Sequence, residues 1–118
     1  MNPDDLKKRT RQFALRVIRL FASLPRTPVS DVIGRQLLRA GTSVGANYRA
    51  ACKSRSAAEF AARMGIVEEE ADECVYWIDL LVESGVMPRQ KVGALQKEAT
   101  ELVAIAASSR KTSRRQSR

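Results

Sequence analysis

The chain has 118 residues and a mass of 13.1 kDa, enough for one domain with a modest core. Its 44% apolar and 29% charged content is that of an ordinary globular chain, its 5% aromatic content argues against a turn-rich β fold, and the absence of histidine excludes Ser-His-Asp and Cys-His catalysis and the common zinc sites. Twenty-one Lys and Arg stand against 13 Asp and Glu, a formal net charge of +8, which suits polyanionic partners, nucleic acid first, although a solvated basic surface has the same composition.

Four segments repeat their apolar residues with helical period, and none alternates as a strand does. The first runs from about Asp5 to Ser23, with Asp4 and Asp5 available as caps. Leu6, Phe13, Val17, Leu20 and Leu24 make its apolar stripe, Lys7, Lys8, Arg11 and Arg19 lie on the other side, and Arg16 lies on the flank. Pro25 and Pro28 then forbid continuation of the helix.

The second segment is expected from Ser30, as N-cap, to about Lys53, with Ile33, Leu37, Ala40, Val44 and Ala51 inward. Gly34, Gly41 and Gly45 share one line beside that stripe. Three such glycines each cost up to about 1 kcal/mol in helix propensity, so another helix backbone is expected to approach closely there. Arg35, Arg39, Arg49 and Lys53 lie opposite the stripe.

Ser56-Ala57-Ala58-Glu59 is a capping box opening the third segment, along which Phe60, Met64, Val67, Ala71, Cys74, Ile78 and Leu81 recur at spacings of four and three. Gly85 and Pro88 punctuate the next connection. The fourth segment, about Pro88 to Ser108, carries Val92, Leu95, Ala99, Leu102, Val103 and Ala106. Ser109 to Arg118 has no apolar residue and is expected to be a disordered basic tail bearing Arg110, Lys111, Arg114, Arg115 and Arg118. The expected fold is therefore all-α, an antiparallel up-down four-helix bundle over 1–108 with a tail over 109–118.

Charge changes sign along the chain: +5 over 1–27, +4 over 28–55, −7 over 56–87 and +6 over 88–118. The basic residues named in the first two segments, with those of the tail, are the candidate nucleic-acid contacts. The acidic third segment could pair with basic helices of its own chain or of a second copy. Tyr76 and Trp77 point off its core stripe, as residues awaiting a partner surface do. Glu70-x-x-Glu73 and Glu98-x-x-Glu101 resemble the carboxylate pairs that hold Mg²⁺ in helical pyrophosphohydrolases, but they too fall off the stripes and no nucleotide pocket motif accompanies them. No enzyme activity, cofactor, metal or small-molecule substrate is expected. Cys52 and Cys74 match no metal spacing, and neither a signal peptide nor an 18-residue apolar run is present. The expectation is a cytoplasmic protein, not inserted in a membrane, whose two cysteines are small buried side chains with free thiols.

Thr42-Ser43-Val44-Gly45-Ala46-Asn47-Tyr48-Arg49, Glu59-Phe60 and Glu70-Ala71-Asp72-Glu73-Cys74-Val75-Tyr76-Trp77-Ile78 together resemble the bacterial four-helix bundle proteins encoded in intervening sequences of 23S ribosomal RNA genes. They are also similar to the accessory protein of diversity-generating retroelements. The likeness spans about Phe13 to Leu81. Ala50 departs from the usual Glu, and Cys74-Val75 departs from a commoner small polar residue and Leu. The resemblance implies a cytosolic homopentamer, an association with nucleic acid and no catalysis. It assigns Asn47, Tyr48, Tyr76 and Trp77 to contacts between subunits or between helices, with internal packing the alternative for Tyr48. Glu70 and Glu73 join them as interface candidates. The competing functional reading is a scaffold whose basic face receives an acidic protein.

Overall fold

The computed structural model describes residues 1–116, which form four helices: α1 (Pro3–Ser23), α2 (Pro28–Ala51), α3 (Ala57–Glu83) and α4 (Arg89–Gln116). Connections of only a few residues make successive helices antiparallel, and the result is an up-down bundle measuring 49 × 22 × 20 Å. No described helix is long and apolar enough to cross a membrane.

The helix starts follow local chemistry. Asn2, rather than Asp4 or Asp5, caps α1 by accepting from the Asp5 N–H at 2.9 Å. Thr27 caps α2 through the Ser30 N–H, and Pro28 takes the first helical position, where its missing N–H costs nothing. Ser30, expected as the cap, is instead a buried residue of the first turn. Ser56 caps α3 as expected, while the Glu59 carboxylate reaches back to the Arg55 N–H at 2.8 Å. Gly85, at φ +81°, ends α3: the Val86 N–H donates to Leu81 O and the Gly85 N–H to Val82 O, the paired bonds of a glycine C-cap.

The inward stripes close into one core in which Phe13, Val17, Leu37, Val44, Met64, Ile78, Leu81, Val92 and Leu102 are almost wholly buried. Phe60, expected at the head of the α3 stripe, is only half-buried. The three glycines of α2 face α1, as close packing of backbones requires. A Cβ on Gly34 would lie 2.7 Å from Leu24 Cδ1, one on Gly41 2.7 Å from Val17 Cγ2, and one on Gly45 3.3 Å from Thr10 Oγ1. Thr10 fills the gap in the α1 stripe between Leu6 and Phe13, its hydroxyl satisfied by Leu6 O. Helix α1 lies mainly against α2 and meets α4 along a much shorter seam.

The expected tail is a correction. Helix α4 continues two further turns past Ser108 to Gln116, and its stripe runs on from Ala106 to Ser113, which is buried and donates to Ala57 O at 2.6 Å. The position is polar because it meets a backbone carbonyl at the start of α3 rather than a side chain. Arg110, one turn earlier, donates to Glu68 at 2.8 Å. The bundle therefore reaches beyond 108, and of the expected tail cations Arg118 lies outside the described residues.

Candidate nucleic-acid interface

The proposed basic face of α2 divides into two environments. The Arg39 guanidinium donates to Glu70 at 3.1 Å and forms a close pair with Glu73, so a residue expected to meet phosphate is held by two expected at a subunit interface. Glu73 also accepts from the Trp77 indole N–H at 2.9 Å; that bond, then the Arg39 pairing, holds its carboxyl below the usual range. Arg35 makes an exposed pair with Asp31 one turn away. Arg49, near the end of α2, and Lys53, just past it, are exposed, and no carboxylate among the described residues lies within 4.0 Å of either.

On α1, Lys7, Lys8, Arg11 and Arg19 are exposed as expected and Arg16 is half-buried. Arg9, not singled out from the sequence, joins the seam to α4: its guanidinium donates to both oxygens of Glu98 at 2.7 Å and to Glu101 at 3.3 Å. The hydrogen bonds from Arg9 hold the Glu98 carboxyl below its ordinary range. Each of the two Glu-x-x-Glu pairs thus closes on one arginine from another helix, Glu70 and Glu73 on Arg39, Glu98 and Glu101 on Arg9. No cluster of three potential metal ligands occurs among the described residues.

Antiparallel packing sorts the remaining charge. The start of α1, the end of α2, the start of α3 and the end of α4 share one end of the bundle, as the Ser113–Ala57 bond and the approach of Gly45 to Thr10 show. The half formed by residues 1–12, 45–68 and 103–116 holds twelve Lys and Arg and four Asp and Glu. The half formed by 13–44 and 69–102 holds eight and nine. The net positive charge of the described chain is therefore confined to one pole. Lys7, Lys8, Arg11, Arg49, Lys53, Arg55, Lys111 and Arg115 are exposed there without an ion-pair partner among the described residues. Arg35 and Arg39 belong to the other half. Linear sequence conceals this grouping, because the pole is assembled from stretches up to a hundred residues apart.

A family model described as 23S rRNA-intervening sequence protein matches residues 4–108. The chain belongs to that family. Among solved structures, a crystal structure of a protein of unknown function from the S23 ribosomal protein family of Bacteroides thetaiotaomicron is similar at a TM-score of 0.80 and 32% identity, covering 86% of this chain and 94% of that one. No curated protein matches. In this member of the 23S rRNA-intervening sequence protein family, the last turns of α4, which hold Arg110, Lys111, Arg114 and Arg115, extend beyond the matched stretch.

The segments that carried the resemblance are placed as follows. Tyr48 is 4% exposed inside the core, the internal-packing alternative given for it, and burial raises its phenol pKa above the ordinary value. Asn47 is half-buried and donates to Ser43 O in its own helix. Trp77 packs partly on the core, whereas Tyr76 is 56% exposed and touches the Trp77 ring edge-on at 4.9 Å between centroids. Tyr76 is the more exposed of the two aromatics.

Proposed function

We propose that this protein is a non-catalytic, self-assembling bundle that associates electrostatically with RNA or DNA through its basic pole. The observation that carries the reading is the segregation of charge: twelve cations against four carboxylates in one half, with eight of the twelve exposed and unpaired among the described residues. Lys and Arg so placed gain counterion-release free energy on meeting phosphates, whereas Arg39 would first have to leave Glu70 and Glu73. Self-assembly, as a pentamer by the resemblance, would use the outer ridge of α3. There exposed Glu69 and Asp72 lie between exposed Ile66 and Tyr76, a surface suited to a basic face of a second copy in a ring-forming contact.

The test is fluorescence anisotropy with labelled single- and double-stranded RNA and DNA across a salt series. A Lys53/Lys111/Arg115→Glu variant is compared with Arg26/Arg35→Glu at the other end. Micromolar or tighter binding with a steep salt slope, lost in the first variant and kept in the second, is the expected result. Equal loss in both variants overturns the placement, and no binding at low salt overturns the reading in favour of an acidic protein partner. Sedimentation of Tyr76→Glu against the parent tests assembly, with dissociation expected.

A further inference from the structure

The basic pole is not uniformly polar. Between α1 and α4 it opens into a recess of about 500 Å³, floored by Leu6, Tyr48, Phe60 and Ile105 and edged by Ser108 and Ser109. A second recess of about 290 Å³ is also lined by Phe60 and edged by the same serines, Thr112, Ser113 and Gln116. The half-buried Phe60 side chain therefore lines both recesses. Ser108, Ser109, Thr112 and Gln116 make no side-chain hydrogen bond among the described residues, so their donors and acceptors are open. Unpaired cations stand beside the rim in sequence: Lys7 follows Leu6, Arg49 follows Tyr48, Lys111 precedes Thr112 and Arg115 precedes Gln116.

An aromatic wall, open hydrogen-bonding edges and cations adjoining the lining residues in sequence suit a ligand with an apolar face, a polar edge and a polyanionic backbone. We propose that Phe60 is a stacking platform for an unpaired base, which makes the preferred ligand of the pole a single-stranded nucleic acid or the looped-out segment of a structured one. The inference rests on the nucleic-acid reading above and narrows it. In a continuous duplex the base faces are covered by their neighbours, so only the backbone could engage the cations. Stacking on an aromatic side chain is tolerant of base identity because every base has a π-face. The serine, threonine and glutamine edges are placed to add hydrogen bonds of modest selectivity.

The experiment uses the full chain and a single-stranded oligonucleotide carrying one fluorescent aminopurine base, with the same strand annealed to its complement as the comparison. Phe60→Leu removes the ring and keeps an apolar side chain, Phe60→Tyr keeps the ring, and Ala104→Leu narrows the first recess from an exposed helix position. Expected are quenching of the aminopurine by the parent and by Phe60→Tyr but not by Phe60→Leu, and reduced quenching by Ala104→Leu. Phe60→Leu should weaken single-strand affinity about tenfold without changing the salt slope. Salt-sensitive binding in which the duplex binds as well as the single strand, and Phe60→Leu and Ala104→Leu behave as the parent, overturns the platform alone. Absence of any salt-sensitive binding overturns both the platform and the reading beneath it.

Discussion

Replacing Gly41 by alanine tests how closely α1 sits on α2. The added Cβ would stand 2.7 and 2.8 Å from the two methyls of Val17 and 3.0 Å from its Cβ, and real Cβ atoms essentially never come under 3.0 Å. Val17 is wholly buried and β-branched, so its single favoured helical rotamer leaves no side-chain escape, and the two helices must part by several tenths of an ångström. Overpacking of this kind costs about 1–3 kcal/mol, and the better helix propensity of alanine returns about 1 kcal/mol, which leaves a net loss on the order of 1 kcal/mol. Gly93 in α4 is the control, because a Cβ there meets nothing within 4 Å, and Gly93→Ala should gain about 1 kcal/mol from propensity alone. Thermal unfolding followed by circular dichroism should place the two variants on opposite sides of the parent, roughly 8 °C apart for a chain of this size. Pairing Gly41→Ala with Val17→Ala should recover part of the loss as a coupling of about 1 kcal/mol. If Gly41→Ala stabilises as much as Gly93→Ala does, the close approach of α1 to α2 is wrong.

Two further outcomes follow from the interior and the seam. Cys74 is fully buried as expected and its thiol pKa is pushed up to about 12, chiefly by desolvation, whereas Cys52, expected buried too, is half-exposed at the end of α2. A thiol reagent at pH 8 should label one cysteine per native chain and two after unfolding, and rapid labelling of both in the native chain would contradict the packing of α3. Glu98 has its folded pKa depressed by Arg9, so the pair contributes stability above the unfolded carboxylate value of about 4.3 and loses it as pH falls through the folded value. Urea unfolding between pH 3 and 7 should show a shallower acid limb for Glu98→Gln than for the parent, and parallel limbs would show that the α1–α4 seam does not depend on this pair.

The helical bundle was legible because each of its causes is local. The stripes of α1 to α3, the Ser56 cap, the Gly85 stop and the small-residue line of α2 all express rules that act within a few residues, and the structure has each in place. The end of α4 was not legible, since Ser113 looks like a tail residue until Ala57 O is known to face it. Thr27 and Ser30 are both good capping residues by type, and the Pro28 that follows Thr27 is the local feature that decides for it. The candidate interface was read in part. Lys7, Lys8, Arg11, Arg49 and Lys53 lie in the half that carries the net positive charge, but Arg39 could not be known to face Glu70 and Glu73 from another helix, nor Arg9 to face Glu98. Arg55, Lys111 and Arg115 gain their meaning only when the α2–α3 connection and the end of α4 are placed at the same end of the bundle, and half-buried Phe60 reads as a core residue until the two recesses it lines are seen.

The central claim is that nucleic acid meets the pole where the start of α1, the end of α2 and the end of α4 converge. Photo-crosslinking to thiouridine-bearing single-stranded RNA, followed by identification of the modified peptides, tests it most directly. The account predicts crosslinks concentrated in residues 1–12, 49–60 and 104–116. Crosslinks concentrated instead between Arg19 and Arg39, or spread evenly over the four helices, would contradict it.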